Sequence, residues 1–522
     1  MTLDKNDPVF SGPTIGEMIM TMIDRYPDRI AFVNPCGLAI SYRAIGEQTS
    51  QAMQLFAAMG LQRGDAVVQL AGNMASVFSV MAACFLGGYK SVTLHPAASL
   101  DDHHYILQDC GARLVIVDQQ REARARELQA LLGARITVLS HDHTERLPAL
   151  WERAAVHPPA ALHNHCEPDT VVRLIYTGGT TGKPKGVMAS SASMAWNMLL
   201  RMAGHDWSGI RLLCATPLSH ASGALIVPVL WHGGTIVLHE NFDADRILAS
   251  VAGGVANALF LVPTMLYRLL DHPDIHRQDF SSLRRIIYGA APTTPARLRQ
   301  ARAVFGPILV QNYGLTEAPS TVLTLNEVDH MDDALLSSAG QPYPGITVRV
   351  LDADDNAVPV NTVGEICVRS PLVMSGYWGQ PELTAEVTRN GWLHTGDFGY
   401  RNERGYFFIV DRAKDIIISG GFNIYPREIE DILATHDSVS SVAVIGVPDP
   451  TWGEAVKAVV VPRDGVAPDV EALIALVKAR KGSIHAPKTV DIVDALPLTG
   501  LGKVDKKALR AGYWGGQTRN VH

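Results

Sequence analysis

The sequence predicts an α/β protein of helix-covered, mainly parallel sheets that ends in a small α+β domain. Three observations carry that expectation. Along most of the chain, short apolar runs of strand length alternate with segments of helical period, the pattern of parallel sheets covered by helices. From Thr347 to Arg369 the alternation becomes shorter and β-rich, and beyond Asp411 a helix, two strands and a helix follow one another. At 522 residues the chain is too long for one ordinary core.

Taken in order, Ile15 to Tyr26 and Tyr42 to Met59 space their apolar residues as helices, with Ser41 as N-cap of the second and Gly60 as its stop. Ala66 to Leu70, Met74 to Leu86 and Lys90 to Leu94 read as strand, helix and strand, and Arg113 to Asp118 adds a buried strand. Met188 to Met202 reads as a helix, Arg211 to Thr216 as a strand, Gly223 to Trp231 as a helix and Gly234 to Leu238 as a strand. Ile286 to Tyr288 and Ile308 to Gln311 continue the alternation, and Thr347 to Arg369 forms a compact β unit around a turn at Asp352 to Asn356. After the strand Tyr406 to Val410, a boundary near Asp411 to Lys414 divides a large domain, 1–411, from a small one, 412–522. The small domain reads as helix Pro426 to His436, strands Ser440 to Val447 and Ala455 to Val461, and helix Val470 to Arg480.

Composition narrows the function. A net charge of −7 argues against non-specific nucleic-acid binding, which needs a basic face. The six cysteines, Cys36, Cys84, Cys110, Cys166, Cys214 and Cys367, lack Cys-x-x-Cys spacing, so they read as reduced thiols of a cytoplasmic protein. The acidic start is no signal peptide, and no apolar run is long enough to span a bilayer. His141 and His143, and His163, His165 and Cys166, lie in polar, Pro-containing stretches that read as solvated connectors rather than metal sites.

The densest signal is Thr177-Gly178-Gly179-Thr180-Thr181-Gly182-Lys183-Pro184-Lys185-Gly186, just after the apolar run Val171 to Tyr176. Glycines let backbone N–H groups approach phosphate oxygens, threonines donate hydrogen bonds and lysines neutralise charge. Three residues, not four, separate Gly178 from Gly182, and Pro184 follows Lys183, so this is not a Walker A loop. The Rossmann pattern is absent as well. Four further segments carry chemistry. Gln311-Asn312-Tyr313-Gly314-Leu315-Thr316-Glu317 follows a strand and offers a carboxylate to Mg²⁺, although Thr-Glu there also suits a helix cap. In Gly391-Trp392-Leu393-His394-Thr395-Gly396-Asp397 a carboxylate stands in a Gly-rich turn and can accept from both vicinal ribose hydroxyls; a plain surface turn has the same wording. Gly420-Gly421 leaves room for a narrow substituent, or simply makes a tight turn before the helix begun by Pro426. Pro497-Leu498-Thr499-Gly500-Leu501-Gly502-Lys503 presents a lysine on a Gly-rich turn, a setting in which most lysines are only solvated.

Together these segments resemble, in order and over residues 177–503, the motifs of the adenylate-forming superfamily of acyl- and aryl-CoA synthetases, luciferases and peptide-synthetase adenylation domains. The resemblance implies two helix-covered sheets and a β-rich subdomain in the large domain, with a small domain that swings about a hinge at Lys414. Thr177, Gly178 (a serine in most relatives), Gly179, Thr180, Thr181, Gly182 and Lys185 would cradle the phosphates of ATP, with Thr180 also catalytic. Gly289, Ala290, Ala291, Gln311, Asn312, Tyr313 and Thr316 would border the nucleotide, Glu317 the Mg²⁺, and Asp397 and Arg412 the ribose. Lys503 would bridge carboxylate and phosphate during adenylation, with His220 a further catalytic residue. Gly420, Gly421 and the aromatic Trp452 would face coenzyme A.

The acid would lie among Leu200, His220, Ala221, Ser222, Ile226, Gly314, Pro319 and Ser320, where small residues make room for a bulky or elongated apolar acid of fatty, aryl or steroid-side-chain type. Pro217 to Gly223 has no Asp to hold an ammonium, which argues against amino-acid substrates. The implied activity is AMP-forming ligation of a carboxylic acid to CoA; a ligase loading a separate carrier protein and a non-catalytic nucleotide-binding relative stay open. A homodimer is compatible with this reading.

Overall fold

The computed structural model describes residues 12–514 apart from 97, 178–182, 219–220, 413–414, 420–421, 464 and 500–503, and it leaves the side chains of Ser320, Arg412 and Asn423 undescribed. Among the described residues the strands form four sheets. The first runs Gln341–Pro342, Ala318–Leu325, Leu309–Leu315, Arg285–Gly289, Ala258–Leu261, Arg211–Cys214, Thr235–Leu238, Ile30–Val33 and Ala39–Ser41. Its middle, from Leu309–Leu315 to Ile30–Val33, is parallel, and antiparallel strands close both edges. The second runs Gly376–Tyr377, Lys185–Ser190, Val171–Thr177, Lys90–Thr93, Ala66–Leu70, Ala112–Val117 and Thr137–Ser140, parallel from Val171–Thr177 onward.

Helix Ala75–Gly87 lies between these two sheets and is buried on nearly every side, as its apolar composition all round requires. Its Phe78, Val80 and Phe85 share one core with Ile15 and Ile19 of the first helix, Leu114 of the second sheet and Ile236 of the first. A third, antiparallel sheet of Thr347–Leu351, Gly364–Arg369, Leu393–Arg401 and Phe407–Arg412 is the compact β unit. Sheet membership changes between Arg412 and Ile417, where the fourth sheet begins. That sheet carries the long hairpin Val439–Asp449 and Gly453–Pro462, covered by helices Pro426–Leu433 and Val470–Lys481.

The structure departs from the sequence expectations in instructive places. Met188 lies on strand Lys185–Ser190, not on a helix, because Val187 and Ala189 turn their side chains into the core while the backbone pairs with Val171–Thr177. The helix starts only at Ser191, capped by the Ser190 hydroxyl. The expected helix from Gly223 is a 3₁₀ turn, Ala221–Leu225, before helix Ile226–Trp231. His141 is no solvated connector: it is buried, its ring bonded to Ser76 and Gln69, and burial pulls its pKa down to about 3. Cys166 is buried as well, its thiol donating to the Phe85 carbonyl.

Helix Pro426–Leu433 turns half-buried Asp431 toward Tyr267 of the large domain, and burial raises that carboxyl to about 6 despite neighbouring Arg427. A carboxyl raised from its ordinary 3.8 binds more protons folded than unfolded across that interval, so stability falls as pH rises from about 4 to 6. Above pH 6 the full cost stands. Asp431→Asn should therefore stabilise the protein by about 1–2 kcal/mol at neutral pH, with the gain shrinking toward pH 4. Urea unfolding of both proteins at several pH values measures this; a pH-independent difference contradicts it.

Candidate active site

The phosphate-loop segment closes a hairpin. Thr177 pairs with Lys185 across strands Val171–Thr177 and Lys185–Ser190, so the glycine-rich connection leaves and re-enters the edge of the parallel strands at one point. Loops beyond strand ends are where parallel sheets bind ligands. Gly178, Gly179, Thr180, Thr181 and Gly182 lie outside the described residues, but both ends of their loop are fixed. Next to Lys185, Val187 pairs with Tyr377, and the Lys185 ammonium stands 5.7 Å from the centre of the Tyr377 ring.

Tyr377 ties that loop to the second signature. Its hydroxyl donates to Glu317 Oε1 at 2.7 Å, and burial followed by the Glu317 charge raises its pKa well above the usual phenol value, so it stays a donor. Glu317 and Thr316 form the turn of the hairpin Leu309–Leu315 and Ala318–Leu325, in which Leu315 pairs with Ala318. The signature thus occupies a strand and its turn rather than following a strand. The turn is braced from outside by Met374, whose N–H donates to the Glu317 carbonyl.

Hydrogen-bond partners sort the rest of that signature. Tyr313 reaches across to Asp397, donating to Oδ2 at 2.6 Å. Gln311 instead accepts from the Tyr288 hydroxyl, and Asn312 is buried against the Tyr343 hydroxyl and the Arg201 guanidinium. Both side chains were expected at the nucleotide; these contacts engage them inside the protein. Asp397 lies within strand Leu393–Arg401, not in a free turn, and it pairs directly with Arg412. The two residues matched to the ribose therefore stand opposite each other by register.

At the end of strand Arg285–Gly289 the backbone is tight. A methyl on Gly289 would sit 2.3 Å from the Asn312 carbonyl oxygen, and Ala290 has φ of 68°, which is costly for a side chain with a Cβ. Ala290 is exposed and Ala291 half-buried. Gly289→Ala must force the two parallel strands apart where the nucleotide is expected. Overpacking of about 1–3 kcal/mol would reduce kcat/KM for ATP about 5- to 150-fold, read by ATP–pyrophosphate exchange. Unchanged exchange would refute the close approach.

The proposed acid-binding residues divide. Ala221, Gly314 and Pro319 are half-buried, whereas Leu200 packs beside Ala318, Val322 and Tyr343, and Ile226 lies in the central core. Ser222 is fully enclosed, its hydroxyl donating to the carbonyls of Thr216 and Pro217, so it latches its loop instead of lining an open cavity. His220 and the side chain of Ser320 are outside the described residues, as are Lys414, Gly420, Gly421 and Lys503. Trp452 is 49% exposed on the turn between Val439–Asp449 and Gly453–Pro462. Ser419 pairs with Gly453, which sets that turn beside the strand leading into Gly420.

Sequence reasoning missed the supports. Arg201, the lone charge on helix Ser191–Gly204, is buried and donates to Thr321 Oγ1 at 2.9 Å. Thr321 donates to Asn197, which donates to the Pro319 carbonyl at 2.5 Å. One polar chain thus clamps the Thr316–Glu317 hairpin to the helix that carries Leu200. A lone arginine in an otherwise uncharged helix was the available signal.

Residues 21–378 match the AMP-binding enzyme family and residues 428–503 the AMP-binding enzyme C-terminal domain. The chain is 42% identical to the medium/long-chain-fatty-acid–CoA ligase FadD8 of Mycobacterium tuberculosis, over 91% of this chain and 86% of that protein. It is 38% identical to a feruloyl-CoA synthase of an Amycolatopsis species, over 91% and 94%. Its fold matches the amide bond synthetase McbA from Marinactinospora thermotolerans with a TM-score of 0.90, at 34% identity over 96% and 99% of the two chains. The motifs, the sheet arrangement and these matches agree: the chain belongs to the AMP-binding enzyme family of adenylate-forming proteins.

Proposed function

We propose that the protein is an AMP-forming ligase that joins an apolar fatty or aryl carboxylic acid to coenzyme A. One observation carries the reading: Tyr377 and Tyr313 bind Glu317 and Asp397, joining the phosphate-loop hairpin, the carboxylate turn and the ribose pair into one site. In the first half-reaction an acid oxygen attacks the α-phosphorus of ATP and the bond to pyrophosphate breaks. In the second, the CoA sulfur attacks the acyl carbonyl and AMP leaves.

Asp397 and Arg412 hold the ribose, and Lys185 with the glycine-rich loop binds the phosphates. Glu317 keeps one carboxylate oxygen on Tyr377, and its carboxylate would hold Mg²⁺, a cation bound by one or two carboxylates plus substrate phosphates. When bound, that ion supplies charge neutralisation on the phosphates. Residues 1–411 form the ATP- and acid-binding domain, and 412–522 bring Lys503 and the Gly420-Gly421 turn.

Two features favour this chemistry over its alternatives. Ala221, Gly314 and Pro319 bear no charge, which suits an apolar acid such as those named in two relatives, medium- and long-chain fatty acids and feruloyl. Ile418, Phe422 and Trp452 are exposed on the paired strands that flank residues 420–421 and on the neighbouring turn, an apolar edge suited to the CoA nucleotide. A cytoplasmic setting is part of this reading, supported by the wide spacing of the six cysteines, and no helix among the described residues is long and apolar enough to cross a membrane. Purified protein with ATP, Mg²⁺, CoA and a panel of medium-chain, long-chain and aryl acids should form AMP, pyrophosphate and acyl-CoA in equal amounts. ADP formation, or transfer only to a carrier-protein thiol, contradicts the proposal.

A further inference from the structure

Beneath Asp397 lies a buried polar platform. Glu365 stands on strand Gly364–Arg369, where the pairing with Leu393–Arg401 shifts register between Glu365 and Cys367. That irregularity turns the carboxylate under the Thr395-Gly396-Asp397 segment. Its Oε1 accepts the Gly396 N–H at 2.9 Å, and its Oε2 accepts from His394 Nδ1 at 2.8 Å. Gly396 has φ of 71°, so the segment adopts a conformation that a glycine permits and Glu365 then fixes. Thr395 completes the support, donating to the Ile366 carbonyl at 2.6 Å and accepting the Asp397 N–H at 3.1 Å.

The platform extends away from the site. His394 Nε2 lies 3.5 Å from Asp355, which accepts from Asn390 and pairs with Arg389. Glu365, Cys367 and His394 could be read as metal ligands, since their donor atoms lie within 4.8 Å of one another. The surroundings oppose that. The Arg389 guanidinium, 3.7 Å from Glu365, already supplies positive charge. The separations are those of hydrogen bonds.

We infer that Glu365, oriented by His394, is a positioning residue for nucleotide recognition: it holds the Gly396 backbone so that Asp397 meets the ribose hydroxyls. This rests on the reading of Asp397 as the ribose carboxylate. Because that carboxylate accepts from both vicinal hydroxyls, ATP loses one of the two bonds when replaced by 2′-deoxy-ATP. The native enzyme should prefer ATP. Glu365→Gln and His394→Gln should lower that preference about 3- to 10-fold, the scale of one hydrogen bond, through KM for ATP. Their kcat and their KM for the acid should stay near native values, and their kcat/KM for 2′-deoxy-ATP, which keeps one of the two bonds, should fall less than that for ATP.

Asp397→Asn is the reference variant. A collapsed ATP preference there with full preference in both platform variants, or an equal loss on both nucleotides in those variants, overturns the inference alone. A preference that survives Asp397→Asn overturns the ribose reading and the inference with it.

Discussion

Lys503→Ala is expected to lose adenylation about 100- to 1000-fold while keeping thioester formation from synthetic acyl-adenylate and CoA near its native rate. The ammonium matters while negative charge moves from the attacking carboxylate to departing pyrophosphate, and removing one such preorganised charge donor typically costs that much. It has no equivalent task once the adenylate exists. ATP–pyrophosphate exchange measures the first half-reaction and AMP release from supplied adenylate the second. Equal loss in both, with the fold intact, would mean that Lys503 is structural.

The described neighbours of Lys503 give this variant a control. Three residues on, Lys506 makes a 2.7 Å ion pair with Glu430. Burial alone would lower the Lys506 pKa, but the carboxylates of Glu430, Asp411 and Asp415 outweigh it and raise the value. Arg510 pairs with Asp415 at 2.8 Å, so helix Lys506–Trp514 is fastened independently of the Lys503 side chain. Truncating Lys503 should therefore leave the small domain folded, and circular dichroism should be unchanged.

Gly421→Leu should show the reverse pattern. A side chain there would obstruct the narrow pantetheine arm only when the small domain presents the Gly420-Gly421 turn, so adenylate should accumulate while thioester formation falls at least about 10-fold, the cost of roughly 1.4 kcal/mol of overpacking in the transition state. Phe422 and Ile418, on the paired strands that flank residues 420–421, are exposed. Normal thioester formation with impaired ATP–pyrophosphate exchange would reverse the assignment.

The sequence was most legible where chemistry forces residue type. Phosphate loop, carboxylate turn, ribose pair and terminal lysine could each be proposed because glycine, carboxylate and ammonium have few substitutes in such tasks, and the family match supports the motifs that contain them. The α/β alternation was legible for the same kind of reason, since a strand buried on both faces, such as Ala66–Leu70, must be largely apolar, with Gln69 the one polar residue of this strand. What the sequence concealed depends on partners distant along the chain. Met188 belongs to a strand because Leu174 lies opposite it, and helical periodicity over Met188 to Met202 carries no trace of that pairing. Ser222 has the size of a pocket residue, but two backbone carbonyls claim its hydroxyl. Tyr377 joins two motifs, and neither motif contains it. Glu365 acts through a register shift, which no local pattern announces.

The expectation of a roomy pocket at Ser222 changes accordingly. Ser222→Phe now has no cavity to enter at a fully buried position, so it should impair short and long acids alike through loss of the loop.

The central claim is attack by the acid on the α-phosphorus of ATP, and isotope transfer tests it most directly. An acid carrying ¹⁸O in both carboxylate oxygens is incubated with the enzyme, ATP, Mg²⁺ and CoA, and the products are resolved by mass spectrometry. One labelled oxygen should appear in the AMP phosphate and one should stay in the acyl-CoA carbonyl, with none in pyrophosphate. Unlabelled AMP, or label in a terminal phosphate, would contradict the account.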